Sequence, residues 1–462
     1  MTALRRALVV AAVRTPMGRF GGALAGTRVD DLAAQVIRAA VQRGGLADDQ
    51  VDEVIAGTVN ASGEAMGNIA RFAALLAGLP TSVAGVTMNR YCGSGLSAVN
   101  ALAHSISFGS VGAGVAVGAE VMSRSTWPVA IPVGQKYPGP LAGRNAMWSG
   151  AGGPQHPALE ADGTMIEMPE GAQLVAEKFG FDRASLDSYA LASHMRAAQA
   201  WDSGRFGDEV ITVPTSRGSF EADETVRRDT SLESLARLAG YYDGCPDITA
   251  GNASPVSDGA SALALVAPDV AGTLDTEPLG EIVATAAVGV DPALFSVGPV
   301  AAVRKMLAQA GLSLDDIGLL EINEAFASQM CVCIDQLGLD PERVNVNGGA
   351  IALGHALGNS GSRIMVTLVH EMRRRGVRYG IAALCVGAGQ GIATLVRNLG
   401  ALWESILRAA PTLGGSPPRP SAVRCTPSGW AGRTASAAGG ESGCRWESFS
   451  AAHRCRWDFA TA

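Results

Sequence analysis

The chain carries a cysteine, Cys92, in a glycine-rich turn between two apolar segments. Residues 83–88 form a β-prone run, N-R-Y-C-G-S-G follows at 89–95, and an apolar helical run begins near residue 97. Glycines beside a thiol let the backbone turn sharply and let a ligand come close. At the start of a helix, unpaired N–H groups and the helix dipole favour the thiolate, which attacks carbonyl carbons. A buried cysteine in a turn is the commoner interpretation of this motif alone, so the rest of the chain must decide.

Three further motifs place polar side chains in similar positions. Asn323 opens N-E-A-F-A, His355 ends G-G-A-I-A-L-G-H, and Cys385 opens C-V-G-A-G-Q-G. Each also has a purely structural interpretation: an asparagine that caps the next helix, a hydrogen-bonded histidine in a turn, and a core cysteine at a strand end. Together with Cys92, they put two cysteines, a histidine and an asparagine at predicted strand ends.

The two halves of the chain repeat one pattern. A predicted strand ends at Asn323 as an earlier one ends at Asn60, and His355 follows Asn323 by the same 32 residues by which Cys92 follows Asn60. An apolar helix and a further strand follow each glycine-rich turn. A duplicated α/β domain would place the Cys92 and His355 turns at the carboxyl ends of strands, where such sheets bind ligands.

Strands and helices alternate along most of the chain, which predicts an α/β fold with a mostly parallel sheet and helices on both faces. The alternation fails between residues 122 and 258, so this segment is interpreted as an insertion. The predicted domains are an N-terminal half at 1–121 plus 259–275, an inserted loop domain at 122–258, a C-terminal half at 276–399 and a tail at 400–462.

The tail from residue 400 differs in composition from the rest of the chain. It contains seven arginines but no lysine, together with four of the seven tryptophans and three of the eight cysteines. It has no apolar periodicity and no amphipathic face. We therefore interpret it as a disordered appendage that carries no part of the fold.

The composition argues against several classes of protein. Apolar residues make up 47% and charged residues 17%, and a formal net charge of -7 gives no basic surface for nucleic acid or an anionic membrane. No apolar run reaches membrane-spanning length, and Arg14 and Pro16 end the N-terminal apolar run too early for a signal peptide. The eight cysteines and six histidines lack metal-ligand or disulfide spacing, so we expect reduced thiols, a cytoplasmic protein and no metal.

Taken together, the four motifs resemble those of the thiolases. The resemblance spans residues 5–398 and includes A-V-R-T-P-M-G-R-F-G-G-A-L near the start and T-A-G-N-A-S at 249–254. It implies a layered α-β-α-β-α fold built from duplicated βαβαβαββ halves. It also implies a CoA-dependent acyltransferase, which cleaves 3-oxoacyl-CoA to acetyl-CoA and a shorter acyl-CoA or runs the reverse Claisen condensation.

The resemblance implies a role for each of five residues. Cys92 would carry the acyl group as a thioester. His355 would activate that thiol and donate a hydrogen bond to the acetyl-CoA thioester oxygen, and a water held by Asn323 would complete this first oxyanion hole. Backbone N–H groups of Cys92 and Gly387 would form the second hole, and Cys385 would transfer protons at the acetyl α-carbon and the CoA sulfur.

The resemblance also implies that the insertion binds CoA, which is a substrate, so that no cofactor is expected. Ser254 matches a serine that contacts pantetheine, and Ala325 and Phe326 line the wall of the site. Arg227 would contact the adenine-phosphate end, although a solvated surface arginine is an equally good interpretation. The remaining implied substrate contacts are Met168 and Phe295. The assembly is expected to be a homodimer or homotetramer.

The chain departs from the usual thiolase motifs at four places. Ala356 follows the active histidine where proline is usual, and Ala388 replaces a glycine of the last motif. Phe295 stands where a methionine is usual near the acyl pocket, and M-P-E-G at 168–171 replaces histidine-methionine-glycine. The last two changes argue against strict acetoacetyl-CoA specificity. M-P-E together with N-R-x-C-G-S-G resembles the thiolases of the β-ketoadipate pathway, which cleave 3-oxoadipyl-CoA.

Two other functions fit the motifs less well. A ketosynthase of the same fold condenses carrier-bound substrates with a Cys-His-His or Cys-His-Asn set, and the second active cysteine argues against it. A non-catalytic thiolase-like protein that binds acyl-CoA or lipid would be expected to lose Cys92, His355 or Cys385, and all three are present.

Overall fold

The computed structural model describes residues 4–126, 158–159, 166–241 and 244–400. The strands are β1 (Ala7–Arg14), β2 (Gly18–Arg19), β3 (Glu53–Gly57), β4 (Ala84–Met88), β5 (Ala113–Val121), β6 (Val213–Thr215), β7 (Gly218–Phe220), β8 (Ser257–Val266), β9 (Gly280–Gly289), β10 (Leu319–Ile322), β11 (Tyr379–Val386) and β12 (Gln390–Arg397). The α-helices are α1 (Val29–Arg43), α2 (Ile69–Leu76), α3 (Ser94–Phe108), α4 (Met168–Phe179), α5 (Arg183–Asp202), α6 (Leu232–Ala236), α7 (Pro268–Ala271), α8 (Gly298–Ala310), α9 (Ala327–Leu337), α10 (Ala350–Leu353) and α11 (Leu357–Arg375). The predicted tail beyond residue 400, and much of the predicted insertion (127–157 and 160–165), lie outside the described residues.

Most of the strands form one mixed sheet in the order β10-β11-β12-β9-β1-β8-β5-β3-β4, with β2 beside β8. Parallel pairing joins β3 to β4 and β5, and β10 to β11, whereas the other pairs in this sheet are antiparallel. The prediction of a mostly parallel sheet is therefore wrong. Long apolar runs show that a strand is covered on both faces, and here antiparallel strands such as β1 and β8 are covered in the same way.

The helices and the sheet form five layers. One apolar cluster packs α1 and α2 onto one face of the part of the sheet that contains β1, β8, β5 and β3. A second cluster holds α3 and α11 between that part and the part formed by β10 to β12. A third packs α8 and α9 onto the far face of β9 to β12. The expected α-β-α-β-α architecture is confirmed.

The central helices α3 and α11 approach each other closely near their N-termini. A Cβ atom on Gly95 would lie 2.7 Å from the Gly358 carbonyl oxygen, and one on Gly361 would lie 2.3 Å from the Leu96 nitrogen. Only glycine fits at such distances, because backbone atoms cannot move aside as side chains do. The contact brings the turn before α3, which carries Cys92, near the turn before α11, which carries His355.

A buried ion cluster fixes the described part of the insertion to the end of β1. Arg14 donates to Glu209 at 2.6 Å and to Asp223 at 2.7 Å, and all three side chains are shielded from solvent. Trp201 of α5 donates its indole N–H to Asp223 at 3.0 Å. Two carboxylates offset the desolvation of one guanidinium, so the cluster is a paired and hydrogen-bonded set rather than an isolated buried charge.

Candidate active site

Cys92 lies at the tip of a tight turn between β4 and α3. Tyr91 adopts a left-handed conformation, with φ of 46°. The turn is closed by hydrogen bonds from Gly93 N–H to the Arg90 carbonyl and from Ser94 N–H to the Tyr91 carbonyl, both at 2.9 Å. A non-glycine residue with positive φ is strained, and strain of this kind is characteristic of residues that position a reactive side chain.

Burial dominates the electrostatics of the Cys92 thiol. It raises the pKa of Cys92 to about 11, although the backbone N–H groups of Cys92 and Gly387 act on the sulfur in the opposite direction. The buried carboxyl of Glu120 adds a smaller upward contribution. The N–H groups therefore act on the thiol in the expected direction, towards the thiolate, but desolvation outweighs them. Cys92 rests as a neutral thiol and needs a base before it can attack.

Cys385 is the second thiol of the site and lies near the end of β11. Its side chain is fully buried. Burial, followed by the charge of Cys92, raises the pKa of Cys385 well above its ordinary value. The two cysteine-bearing segments lie against each other, since a Cβ on Gly93 would lie 2.9 Å from a methyl group of Val386. Beyond β11, Ala388 has φ of 60°, a left-handed conformation that glycine would adopt at lower cost. The loop nevertheless keeps the Gly387 N–H directed at the Cys92 sulfur.

His355 is held firmly on one side of its ring. Its backbone N–H donates to the Pro255 carbonyl at 3.1 Å, and its Nδ1 lies 2.6 Å from Ser360 Oγ. Its Nε2 is buried and has no hydrogen-bond partner among the described residues. Burial, with a smaller contribution from the charge of Arg363, lowers the pKa of His355 to about 4. At neutral pH the imidazole is therefore uncharged and can accept a proton.

Asn323 follows β10 and presents an amide without a described partner. Its backbone N–H donates to the Ala383 carbonyl at 2.9 Å, which fixes the residue beside β11. Both polar atoms of the side chain are buried, and neither has a hydrogen-bond partner in the part of the chain that the structure describes. Phe326, not Asn323, is the N-cap of α9, so the capping interpretation fails. A buried amide without a partner costs about 1–3 kcal/mol, which is consistent with a group kept for a ligand.

Most of the predicted CoA and acyl contacts come together beside Cys385. Ser254 donates its N–H and its hydroxyl to the Ala325 carbonyl, each at 3.0 Å. The rings of Phe295 and Phe326 meet edge to face at 6.3 Å. One apolar cluster contains these two rings together with Ala325, Met168 and Cys385.

Arg227 is placed differently from the other predicted contacts. It is exposed, and its backbone N–H donates to Nδ1 of the buried His194 at 3.1 Å. It does not belong to the apolar cluster around Cys385. Both interpretations of this arginine, as a phosphate contact and as a surface residue, therefore stay open.

Two family models match consecutive parts of the chain. The model described as "Thiolase, N-terminal domain" matches residues 7–269, and "Thiolase, C-terminal domain" matches residues 276–398. The chain belongs to the thiolase family. The ketosynthase interpretation is thereby set aside.

Relatives of this thiolase carry two kinds of name. The chain is 41% identical to "Beta-ketoadipyl-CoA thiolase" of Pseudomonas aeruginosa over 408 residues, which are 86% of this chain and 100% of the relative. It is 42% identical to "Acetyl-CoA acetyltransferase" of the same species over 402 residues, which are 85% of this chain and 99% of the relative. A crystal structure of human mitochondrial 3-ketoacyl-CoA thiolase in complex with CoA superposes with a TM-score of 0.79 at 37% identity, covering 86% of this chain and 99% of that one.

Two buried glutamates that sequence reasoning missed support the catalytic turns of this thiolase. Glu120, near the end of β5, accepts the N–H groups of Val59 at 2.7 Å and of Asn60 and Gly358 at 3.0 Å. It thereby ties the loop after β3 to the first turn of α11. The signal was present in the sequence, since Glu120 is a charged residue within an otherwise apolar strand.

Glu324, directly after Asn323, connects three further segments. It accepts hydrogen bonds from the Ser193 hydroxyl of α5 at 2.7 Å, from the Asn345 side chain at 3.0 Å and from the Ile351 N–H of α10 at 3.0 Å. The helix α10 leads into the His355 turn, so one carboxylate fixes both the Asn323 loop and the approach to His355. Glu324 lies inside the motif N-E-A-F-A, for which the resemblance implied roles of Asn323, Ala325 and Phe326 but not of the glutamate.

Among the described residues, no helix combines the length and the apolar character needed to cross a bilayer. Within the same part of the chain, His, Cys, Asp and Glu side chains do not group in threes or more as a metal site would require.

Proposed function

We propose that this thiolase cleaves 3-oxoacyl-CoA with CoA, carrying the acyl group on Cys92, and that it also catalyses the reverse condensation. The observation that supports this most is the pair of buried thiols, Cys92 and Cys385, on two segments that lie against each other at Gly93 and Val386. Unpartnered polar atoms of His355 and Asn323 add a base and a hydrogen-bond donor. A non-catalytic binding protein would have no need of two such thiols.

The first step breaks the C–C bond of the substrate. Cys92 gives its proton to His355 Nε2 and attacks the 3-oxo carbon, and the resulting oxyanion is stabilised by the N–H groups of Cys92 and Gly387. The bond between C2 and C3 then breaks, and its electron pair forms the enolate of acetyl-CoA. Cys385 donates a proton to C2, so acetyl-CoA leaves and an acyl thioester stays on Cys92. Protonated His355 and a water held by Asn323 stabilise the charge on the enolate oxygen.

The second step transfers the acyl group to a new CoA. The CoA thiol gives its proton to the Cys385 thiolate and attacks the thioester carbon, using the same N–H groups of Cys92 and Gly387. Cys92 leaves as a thiolate and takes back its proton from His355. All protons are restored, so the chemistry needs only side chains and the substrate CoA. Loss of one oxyanion-hole donor typically raises such a barrier by about 2.7–4 kcal/mol.

The acyl pocket is proposed to accept chains longer than acetoacetyl, including 3-oxoadipyl. The two relatives quoted above have different names but almost the same sequence identity to this chain, so identity does not indicate the substrate. The acyl pocket has to indicate it instead. Phe295 is buried, and a Cβ on Gly171 of α4 would lie 2.7 Å from its ring, so the ring packs directly against the backbone of α4. The test is kcat/KM for acetoacetyl-, 3-oxohexanoyl- and 3-oxoadipyl-CoA. Activity confined to acetoacetyl-CoA by several orders of magnitude would contradict this specificity, and absence of CoA-dependent cleavage of all three would contradict the function.

The assembly is proposed to be a homo-oligomer that uses the edge strand β4 and the helix α2. The strand ends the sheet, and its Val86 is 41% exposed. Beside it, Phe72, Leu75 and Leu76 line a groove of about 580 Å³. An apolar edge of this kind is normally covered in a soluble protein. Light scattering should show more than one copy in the native protein and a smaller species for Leu76→Asp, and a monomeric native protein would contradict the proposal.

The proposed compartment is the cytoplasm. The mechanism requires Cys92 and Cys385 as free thiols, and both are free in the structure. Thiols persist in the reducing conditions of the cytoplasm, whereas an oxidising compartment would favour their oxidation.

A further inference from the structure

We propose that Ser360 is a positioning residue that keeps the proton of neutral His355 on Nδ1, so that Nε2 is the basic nitrogen. The inference rests on the proposed function, in which Nε2 takes the proton of Cys92. Ser360 does not contact the reacting atoms in this scheme. It acts through His355, from the first turns of α11.

The hydrogen bonds around the serine hydroxyl support one arrangement of protons. Ser360 Oγ lies 2.6 Å from His355 Nδ1 and 3.0 Å from the Ala356 carbonyl oxygen. A hydroxyl has one hydrogen to donate and two lone pairs, whereas a carbonyl oxygen can only accept. When the hydrogen points to the Ala356 carbonyl, a lone pair faces the imidazole. Nδ1 must then carry the proton, and Nε2 carries the lone pair.

The protonation states of the two reacting groups require this tautomer. Burial raises the pKa of Cys92 to about 11 and lowers that of His355 to about 4, so both groups are neutral at pH 7. In the proposed function a neutral thiol gives its proton to a neutral imidazole, which is possible only if the nitrogen that takes the proton, Nε2, has a free lone pair. The opposite tautomer would place a proton on Nε2 and would prevent it from accepting another.

The same arrangement serves the charged form of the histidine. Once His355 has taken the proton of Cys92, both ring nitrogens are donors. Ser360 already accepts from Nδ1, so no hydroxyl has to rotate during the reaction, and Nε2–H is free to donate to the enolate oxygen. Ser360 is only 1% exposed and is the one described partner of Nδ1, so solvent cannot replace it.

Three variants test the proposal. Ser360→Ala removes the acceptor, Ser360→Thr keeps the hydroxyl, and Ser362→Ala is the matched control. Ser362 is also fully buried in α11, and its hydroxyl bonds to Ser261 and to the Asn359 carbonyl, away from His355. We expect Ser360→Ala to lower kcat for thiolysis by about 10- to 100-fold, the range found for hydrogen-bond partners that orient metal-bound imidazoles. KM should change by less than about twofold, because Ser360 does not contact the substrate in this scheme. Ser360→Thr should recover most of kcat, and Ser362→Ala should keep it.

A spectroscopic measurement makes the test independent of turnover. In protein labelled with ¹⁵N-histidine, the His355 signals, identified by their loss in His355→Asn, should show a protonated Nδ1 and an unprotonated Nε2. Ser360→Ala should lose this preference. A native protein with the proton on Nε2, an unchanged kcat in Ser360→Ala, or an equal effect of Ser362→Ala would overturn the proposal. Because the tautomer is read without substrate, it can be established even if the proposed thiolysis is not observed.

Discussion

At the scale of single residues, the site contains two thiols of the same chemistry whose surroundings differ. Cys92 has two N–H groups at its sulfur, whereas Cys385 is influenced mainly by burial and by Cys92 itself. A thiolate is stabilised where N–H groups face it, so Cys92 is the better carrier of an acyl group and the better leaving group. Cys385, whose neutral form is favoured by burial and by the charge of Cys92, is suited to give and take a proton in the proposed reaction.

We expect the alanine variants of the two cysteines to fail differently. Cys92→Ala removes the only atom that carries the acyl group, so no acyl-enzyme should form from any acyl-CoA. Cys385→Ala leaves the nucleophile, His355 and both oxyanion holes, and a CoA thiolate can leave without protonation. This variant should therefore still be labelled by radioactive acetyl-CoA, but it should lose thiolysis and the exchange of acetyl α-protons with deuterated water, since that weak carbon acid needs a positioned base.

Cys333→Ala is the matched control for this pair. Cys333 is a buried thiol of α9 that influences Cys385 electrostatically but has no part in the proposed reaction. It should keep labelling, thiolysis and α-proton exchange. Label on Cys385 in the Cys92 variant, or surviving α-exchange in Cys385→Ala, would show that the two roles are assigned wrongly.

The residues proposed to react could be named from the sequence because each lies in a short local motif. Their protonation states could not, because burial, which outweighs the N–H groups at the Cys92 sulfur, depends on the whole fold. The residues that hold the turns were also missed. Glu120 holds segments that are distant in sequence, and Ser360 acts through His355. The spacing of residues in the sequence does not indicate which N–H groups or ring nitrogen they contact.

At the scale of elements, the site depends on the contact between α3 and α11. Gly361→Ala tests it. The new Cβ would lie 2.3 Å from the Leu96 nitrogen, so the helices must separate. We expect a net loss of about 2–3 kcal/mol in the free energy of unfolding, because overpacking outweighs the gain of about 1 kcal/mol in helix propensity. Activity should fall as well, since Leu96 follows the Cys92 turn.

Gly26→Ala is the control for that substitution, because its Cβ would have Ser216 Oγ at 3.7 Å as its nearest neighbour within 4 Å. Chemical denaturation and thiolysis rates of both variants provide the measurement. A Gly361→Ala protein as stable and active as the control would show that the two helices can adjust, and that their spacing does not set the geometry of the site.

Asp258 joins the start of β8 to the segment that leaves β5, and its charge opposes folding. It accepts the Ser123 N–H at 2.9 Å, yet burial raises its pKa from 3.8 to about 6. The folded pKa is the higher one, so Asp258 contributes stability below pH 4 that is lost as pH rises through 6. Relative to Asp258→Asn, the native protein should lose about 1.4 kcal/mol of unfolding free energy between about pH 5 and pH 7.5.

Urea denaturation at the two pH values measures this difference. The exposed Asp275 supplies the control variant Asp275→Asn, which removes a carboxyl at the protein surface and is measured at the same two pH values. A difference between native protein and Asp258→Asn that is constant across this range, or that changes in the opposite direction, would contradict the assignment of a raised pKa to Asp258.

The existence of most elements could be predicted from apolar periodicity, but the direction of the strands could not. The strands β1, β8 and β9 read as the buried strands of a parallel sheet, and each is antiparallel to its neighbours. A run of apolar residues indicates that both faces of a strand are buried, but it does not indicate whether the neighbouring strand is parallel or antiparallel. The short hairpin of β6 and β7 was missed for a different reason, since three-residue strands leave no measurable period.

At the scale of the whole molecule, the repeated halves contribute unequally to one site. The first half supplies Cys92, whereas the second supplies His355, Asn323, Cys385 and Gly387. Asn60 occupies the place in the first half that Asn323 has in the second, but its N–H is bound by Glu120 and its loop has a supporting role. In the proposed mechanism, one scaffold used twice thus provides the nucleophile from one half and the acid/base groups from the other.

Comparison of the whole chain with its relatives indicates where the part needed for function is expected to end. The family models end at residue 398, and 86% of this chain covers 100% of the Pseudomonas aeruginosa thiolase named above. Buried Leu399 is the last residue of the first apolar cluster. The remaining segment has a composition that gives no core face. The relative thus has no counterpart of this segment, which argues that the segment contributes nothing to the site.

Truncation after Gly400 should therefore leave kcat/KM and Tm nearly unchanged, because it removes no described core residue. Truncation before Gln390 provides the contrasting control. It removes β12, which pairs with both β11 and β9, so it should expose two strand edges beside Cys385 and give an insoluble or inactive protein. If the protein ending at Gly400 were insoluble or lost most of its turnover, the segment would have to contribute to folding or catalysis in a way that its composition does not indicate.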